Sequence, residues 1–315
     1  MRHTNYLSGV YYCLIATMAW GGMFPVMTQA LKVIDPFTFT SIRYTIAGIV
    51  FLLFLYMKEG PASFKIDGNK MLLWALGSAG FAGFGFFVFL GQQMAGPEGA
   101  LSASMMMATM PFLGILLNWA LRGTKPPMFT FGFIIMSLLG VLLVITRGDV
   151  SRIFNEPANY KANFVMIGGA LCWVFYTIGA SYFPKWSPVK YTAMSTLYGL
   201  PTVYAITAFL LATGVVSVPS SATVLSVTPE LAYMSIIAGL VGVLCWNQGN
   251  KIITPLNGVL FMDVVPVTAF IVSTVLGVVP NNGQLFGIVL TASALVLNNL
   301  YQRRRLQMTA KLATA

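Results

Sequence analysis

The chain has 315 residues, 57% of them apolar and only 8% charged, with a mean hydropathy of +0.79. A soluble domain carries about 25% charged residues, so this chain has too few polar side chains to cover a water-facing surface, which excludes a soluble enzyme or binding module. The net charge of +10 invites a nucleic-acid reading, which the placement of the basic residues removes.

The apolar residues fall in runs of about twenty, the length a helix needs to cross a hydrocarbon core about 30 Å thick. In chain order the predicted spans are 7–30, 37–57, 71–94, 100–121 and 128–145, then 162–183, 191–212, 231–249, 256–278 and 284–300. Arg2 and the run after Leu7 look like a leader, but no A-x-A site follows, so this run is expected to stay as the first span. Gly60-Pro61, Gly96-Pro97, Pro126-Pro127, Pro188, Pro255 and Pro280 mark turns between spans. The expected fold is all-α, a polytopic membrane protein of ten transmembrane helices, since in lipid each helix satisfies its own backbone. Cys13, Cys172 and Cys245 lie inside apolar runs without metal-ligand spacing. No metal or other cofactor is expected.

The ten spans divide into two copies. Gln93, Pro111 and Gly132 are echoed by Gln248, Pro266 and Gly287 at a constant offset of 155. Ala19-Trp20 returns as Cys172-Trp173 at 153, and Asp35-Pro36 as Ser187-Pro188 at 152. The spacing therefore predicts two five-helix repeats, residues 1–150 and 151–315, the second ending in a basic tail at Arg303-Arg304-Arg305. With both termini placed inside, thirteen of the eighteen Lys and Arg residues lie on the cytoplasmic side and four outside, with Arg43 within a span. That asymmetry is the positive-inside signature. The basic excess thus reads as topology plus attraction to anionic headgroups, and no nucleic-acid partner is expected. Five spans are an odd number, so the second copy enters the membrane upside down. Inverted repeats are an architecture of secondary transporters, whose solute site lies near the midplane.

Ala19-Trp20-Gly21, Arg43, Pro111 and Pro266 in the fourth span of each half, and Gly132 and Gly287 early in the fifth, together resemble the EamA-like branch of the drug/metabolite transporter superfamily. The resemblance covers nearly the whole chain. It implies a carrier in the cytoplasmic membrane for small metabolites, amino acids or drugs, most often an exporter. Members usually carry Leu-Gly-Glu at the end of the fourth span, where this chain reads Leu121-Arg122-Gly123 and Leu276-Gly277-Val278.

Two charged residues lie well inside spans, on opposite sides of the midplane: Arg43, matching Ser195, and Asp263, matching Ala108. Arg43 either snorkels to headgroups or anchors a substrate carboxylate with its planar fork. Asp263 is a candidate proton-coupling residue, since an ionisable group in the membrane points to function and dehydration favours a neutral acid. Gln92 and Gln93 near one end, and Asn247 and Gln248 near the other, read as substrate-binding or gate amides, or as interhelical hydrogen-bond partners. Trp20 and Trp173 at mid-depth, with Tyr176 one turn on, face protein or a cavity and could stack on a solute. Trp246 lies nearer the inner surface, where an interfacial belt competes with that role. Met105, Met106, Met107 and Met110 read as lipid-facing filler. Pro111 and Pro266 remove backbone hydrogen bonds and are candidate hinges. Gly77, Gly80, Gly83 and Gly85 predict close helix packing.

The partners implied are a small solute, the bilayer and protons; oligomeric state is open, as is the choice between export, uptake and exchange, and between a metabolite and an organic cation. An intramembrane enzyme lacks support, since His3 is the only histidine and Asp263 has no second carboxylate within a span. A channel would need a filter or ring of charge, and none is evident.

Overall fold

The computed structural model describes residues 3–96, 99–123, 128–149, 157–275 and 281–314. Pro97, Pro126-Pro127, Leu276-Gly277-Val278 and Pro280 lie outside them. The described chain is helical, without strands. Helices α1 (His3–Ala30), α2 (Pro36–Glu59), α3 (Lys70–Met94), α4 (Gly99–Arg122) and α5 (Met128–Ile145) are followed by α6 (Pro157–Gly179), α7 (Pro188–Ala212), α8 (Thr228–Ile253), α9 (Asn257–Val275) and α10 (Asn282–Thr314). Eight of these are long and apolar enough to cross a membrane; the apolar stretches in α5 and α10, Phe131–Leu143 and Asn282–Asn298, are shorter. Leu53, Phe87, Phe164, Phe209 and Ile271 are exposed on the outside of the bundle, while Arg43, Gln92, Asn247 and Asp263 are buried within it. That inside-out arrangement suits a lipid solvent.

Local chemistry explains why the two copies share punctuation. Asp35 caps α2 by accepting from the N–H groups of Phe37 and Thr38, and Ser187 caps α7 by accepting from Lys190 N–H. In both, the following proline occupies the first turn, where its missing N–H costs nothing. Gly60 and Gly123, at φ 73° and 66°, end α2 and α4 with backbone that favours glycine; this is what Leu121-Arg122-Gly123 accomplishes. The helices that carry the repeated prolines, Pro111 and Pro266, depart from regular α-helix just before them. Helix α4 breaks at Ala108-Thr109 between Gly99–Met107 and Met110–Arg122, and α9 tightens to a 3₁₀ turn over Leu260–Asp263. A feature invisible to spacing is also duplicated. Each third helix contains a π-helical stretch, Ser78–Gly83 in α3 and Tyr233–Gly242 in α8, beginning 155 residues apart.

The packing map is unchanged when the halves are exchanged. Helix α1 packs against α8 and α9, and α6 against α3 and α4; α2 pairs with α7, and α5 with α10. The α3 glycines make these contacts close. A Cβ on Gly77 would collide with the Ser195 backbone, on Gly80 with Tyr176, on Gly83 with Cys172 and on Gly85 with Thr40. Gly287 serves the α5–α10 seam, where its carbonyl lies against Gly140, whereas its echo Gly132 meets nothing within 4 Å. Met105, Met106, Met107 and Met110, expected to face lipid, are all buried. The break at Ala108-Thr109 brings this stretch into the core, against α1 and α9.

The first turns of α1 and α5, the α2–α3 and α6–α7 connections and the last turns of α4 and α8 share one end of the bundle, termed the terminal end. There Gly9 of α1 meets Ile253 of α8, Gly68 meets Phe183, and Ser187 donates to Glu59. At the far end Asn281 donates to Arg147 O (2.9 Å).

Candidate functional site

An aromatic cluster fills the meeting point of the halves. The Trp20 ring lies 5.1 Å from Trp173 and 5.1 Å from Trp246; Trp173 is 5.0 Å from Phe84 and 5.0 Å from Tyr176. The one-turn spacing of Trp173 and Tyr176 thus brings them together on α6. Trp246 is fully buried rather than interfacial, because α8 lies directly against α1. The indoles differ in their partners. Trp20 Nε1 donates to Ala238 O in the π stretch of α8 (2.9 Å) and Trp246 Nε1 to Thr177 Oγ1 (2.9 Å), while Trp173 Nε1 is buried without a partner.

Arg43 does not snorkel. Its side chain is 2% exposed, its guanidinium carbon lying 4.3 Å from the Tyr44 ring centroid and 5.3 Å from that of Phe89. Nη2 donates to Tyr44 Oη (3.0 Å), while Nε and Nη1 are buried without a partner. Arg43, Tyr44, Trp20, Met23, Phe84, Met107, Trp173, Val243, Met262 and Val265 line one closed cavity of about 10 Å³, barely the space of one water. Three unpartnered N–H-bearing nitrogens, Arg43 Nε, Arg43 Nη1 and Trp173 Nε1, therefore belong to side chains of a single aromatic-walled pocket. Its chemistry suits an acceptor-rich anionic group carried on an apolar body.

The repeat-related amides occupy contrasting corners. At the far end Gln92 is 1% exposed, and its Nε2 donates to Phe24 O (2.8 Å) and Thr28 Oγ1 (2.9 Å) of α1. At the terminal end Asn247 donates to Tyr176 Oη (2.9 Å) and Thr192 Oγ1 (2.7 Å). Asn247 also lines a cavity of about 300 Å³ with Ser181, Phe183, Trp186, Tyr191, Asn250 and Lys251. Gln93 is exposed and Gln248 half-buried, and neither lines a cavity described here. The mouth is framed by groups not singled out from sequence. Trp186 Nε1 and Lys190 Nζ both donate to Asp67, Lys190 lies over the Trp186 ring at 4.5 Å, and Lys251 Nζ donates to Trp186 O (2.6 Å). The Trp186 indole, followed by a backbone N–H and Lys190, holds the exposed Asp67 carboxyl below the usual carboxylate range.

Asp263 is 4% exposed and lies on the side of α9 away from the aromatic cluster, lining a second small cavity of about 20 Å³ that also takes in Pro111. Arg43 and Asp263 thus belong to separate cavities. Tyr44, Phe84, Phe89 and Met262 escaped the sequence reading, and Met107 was read as filler; the signal available was the 155-residue offset that pairs Met107 with Met262.

The EamA-like transporter family model matches residues 7–146 and again 160–300. A Bacillus subtilis protein named uncharacterized transporter YrdR is 34% identical over 304 residues, spanning 96% of this chain and 95% of its own. Uncharacterized transporter YyaM of the same organism is 26% identical over 295 residues, 92% of each chain. An uncharacterized transporter of Archaeoglobus fulgidus is 24% identical over 298 residues, 92% of this chain and 96% of its own. A solved structure titled only as a crystal structure of protein superposes with a TM-score of 0.70 at 20% identity, covering 96% of this chain and 99% of that one. That likeness concerns the fold.

Proposed function

The chain belongs to the EamA-like transporter family, and from that premise we propose that it is an alternating-access carrier whose solute bears a carboxylate held by Arg43. The observation that carries the reading is the buried guanidinium. An unpaired buried charge is costly, and here two of its nitrogens and the Trp173 indole N–H all lack acceptors. A carboxylate satisfies a guanidinium bidentately, while Trp20, Phe84, Met107 and Met262 receive an apolar body. Trp246 and Tyr176 brace those walls.

The two family matches and the exchange-symmetric packing support ten spans in two inverted repeats, 1–150 and 151–315. The thirteen-to-four distribution of basic residues supports a cytoplasmic terminal end in the cytoplasmic membrane. The 300 Å³ cavity then faces the cytoplasm, the side from which an exporter loads. Asp263 couples the cycle to protons, and Pro111 and Pro266 are the points about which α4 and α9 bend.

The test is a panel of carboxylate, neutral and cationic solutes on reconstituted vesicles, with and without a pH gradient. Losing one partner of a buried charge pair costs about 3–5 kcal/mol, so Arg43→Gln should weaken carboxylate transport by about 100-fold or more. Arg43→Lys should recover only part of it, since an ammonium lacks the fork. Carboxylate transport unchanged in Arg43→Gln would overturn the anchor. A parent protein moving only cations would overturn the solute class.

A further inference from the structure

Helices α4 and α9 form a wall with a different cavity on each side. Met107 and Met262, at equivalent positions, line the Arg43 pocket. Their immediate successors, Ala108 and Asp263, line the cavity behind, with Pro111 and Phe112 of α4, Phe133, Ile134 and Ser137 of α5, and Ala294 and Asn298 of α10. The second cavity therefore lies where the two halves meet, and the symmetry of its wall is broken at one pair, where Ala108 faces a carboxylic acid.

Its polar lining includes three oxygen atoms that lack partners, beside the Asn298 amide nitrogen. Asp263, Ser137 and Asn298 are 4%, 6% and 5% exposed, and Asp263 Oδ1, Ser137 Oγ and Asn298 Oδ1 are each buried without a hydrogen bond. An amide oxygen and an ionised carboxylate only accept, and a hydroxyl carries one proton. Three such oxygens cannot satisfy one another while the acid is ionised; they need protons brought in. A volume of about 20 Å³ admits one water, and a buried water typically makes 2–4 hydrogen bonds. Phe112, Phe133 and Ile134 add apolar surface to the remaining walls. Among the described residues the lining from α4, α5 and α10 contains no second titratable side chain; the nearest on α10 is Tyr301, whose ring lies 6.3 Å from that of Phe133. On α1, which also packs here, Cys13 lies against Gly249 of α8. Arg43 faces the other cavity, and Arg304 of α10 is exposed.

We propose that Asp263, Ser137 and Asn298 form a binding site for one proton and one water, separate from the solute pocket and joined to it by the α4–α9 wall. The proposal rests on the reading of Asp263 as the coupling acid and adds the two residues that hold it. Asp263 is protonated by hydronium from one side, an O–H bond forming on its carboxylate as hydronium becomes water. It later returns the proton to water on the other side. In the loaded state the water lies among the acid, Asn298 Oδ1 and the Ser137 hydroxyl. Ser137 and Asn298 are positioning residues. Solute and proton never meet; each presses on the same two helices, through Met107 and Met262 on one side and Asp263 on the other.

Infrared difference spectroscopy on the reconstituted full-length protein, stepped through a pH series in H₂O and D₂O, reads the acid without requiring the solute. We expect a carboxylic-acid C=O band that is lost in Asp263→Asn. In Ser137→Ala and Asn298→Leu the band should persist but change frequency, and its titration midpoint should move by about half a pH unit or more. Asn298→Asp, close in shape, separates loss of the oxygen environment from misfolding, and should add a second titrating carboxyl band. If Asp263→Asn removes the band while Ser137→Ala and Asn298→Asp leave it unmoved, the three-residue site is wrong and the coupling acid stands. If Asp263→Asn removes nothing, the coupling reading falls as well.

Discussion

Gln92 and Asn247 hold the same place in the two repeats, yet one bridges across to α1 as a candidate seal and the other borders an open cavity. The difference is one methylene. Gln92 spans to α1 and captures Thr28. The residue matching Thr28 at the 153 offset is Ser181, which lines the open mouth, accepts from Arg122 and donates to Ile178 O. The shorter Asn247 stays with Tyr176 and Thr192. Equivalent positions are thus bridged at one end and left unbridged at the other, by the reach of one amide.

The largest effect should come from cutting the seal. Gln92→Ala removes two hydrogen bonds worth together about 1–3 kcal/mol. In a background with the three cysteines replaced by Ala, labelling of Met27→Cys, a buried neighbour of both acceptors, by an impermeant thiol reagent should accelerate by about 10-fold to 100-fold. No acceleration would mean that the far end is closed by packing alone. Next, Asn247→Gln should let the amide reach Ser181 and draw the terminal end shut. One bond of about 1 kcal/mol predicts roughly fivefold slower labelling of Thr254→Cys at the mouth, and faster labelling would contradict the account.

The smallest effect belongs to Asp67. A carboxyl depressed on folding contributes above its unfolded value, and that contribution is lost as pH falls through the folded one. The Asp67 contacts should therefore hold unchanged across neutral pH and fail only below about pH 4. Being exposed, Asp67→Asn should alter labelling at the mouth by less than about twofold. A transition at neutral pH would point to another group.

Spacing and hydropathy were enough to place the eight helices long and apolar enough to cross a membrane, because span length and proline offsets follow from bilayer thickness and backbone chemistry. The facing of individual side chains was less legible. Gln92 and Gln93 are neighbours of one type, and only the structure turns the first inward and the second out. Each π stretch adds a residue to a turn, so a face counted at 3.6 residues drifts beyond it. Trp246 lies beyond such a stretch, and its sequence left belt and interior open where the structure buries it. The Met105–Met107 run reads as apolar in lipid or in a core alike, and its burial depends on a helix break that composition does not mark.

The π stretches also bear on how such a bundle can move. A helix with one residue too many for its turns holds slack, and slack can pass along the chain by exchanging one backbone hydrogen bond for the next, without melting the helix. In α8 that stretch supplies the carbonyl that Trp20 grips at Ala238. At the matching place in α3 stands Gly83, and the matching indole, Trp173, has no bond. Drawing in the slack of α8 would move the acceptor away from Trp20, whose ring touches both Trp173 and Trp246. A change of winding in one backbone would then be felt as a change of shape in the middle of the bundle, with no hinge swinging at all.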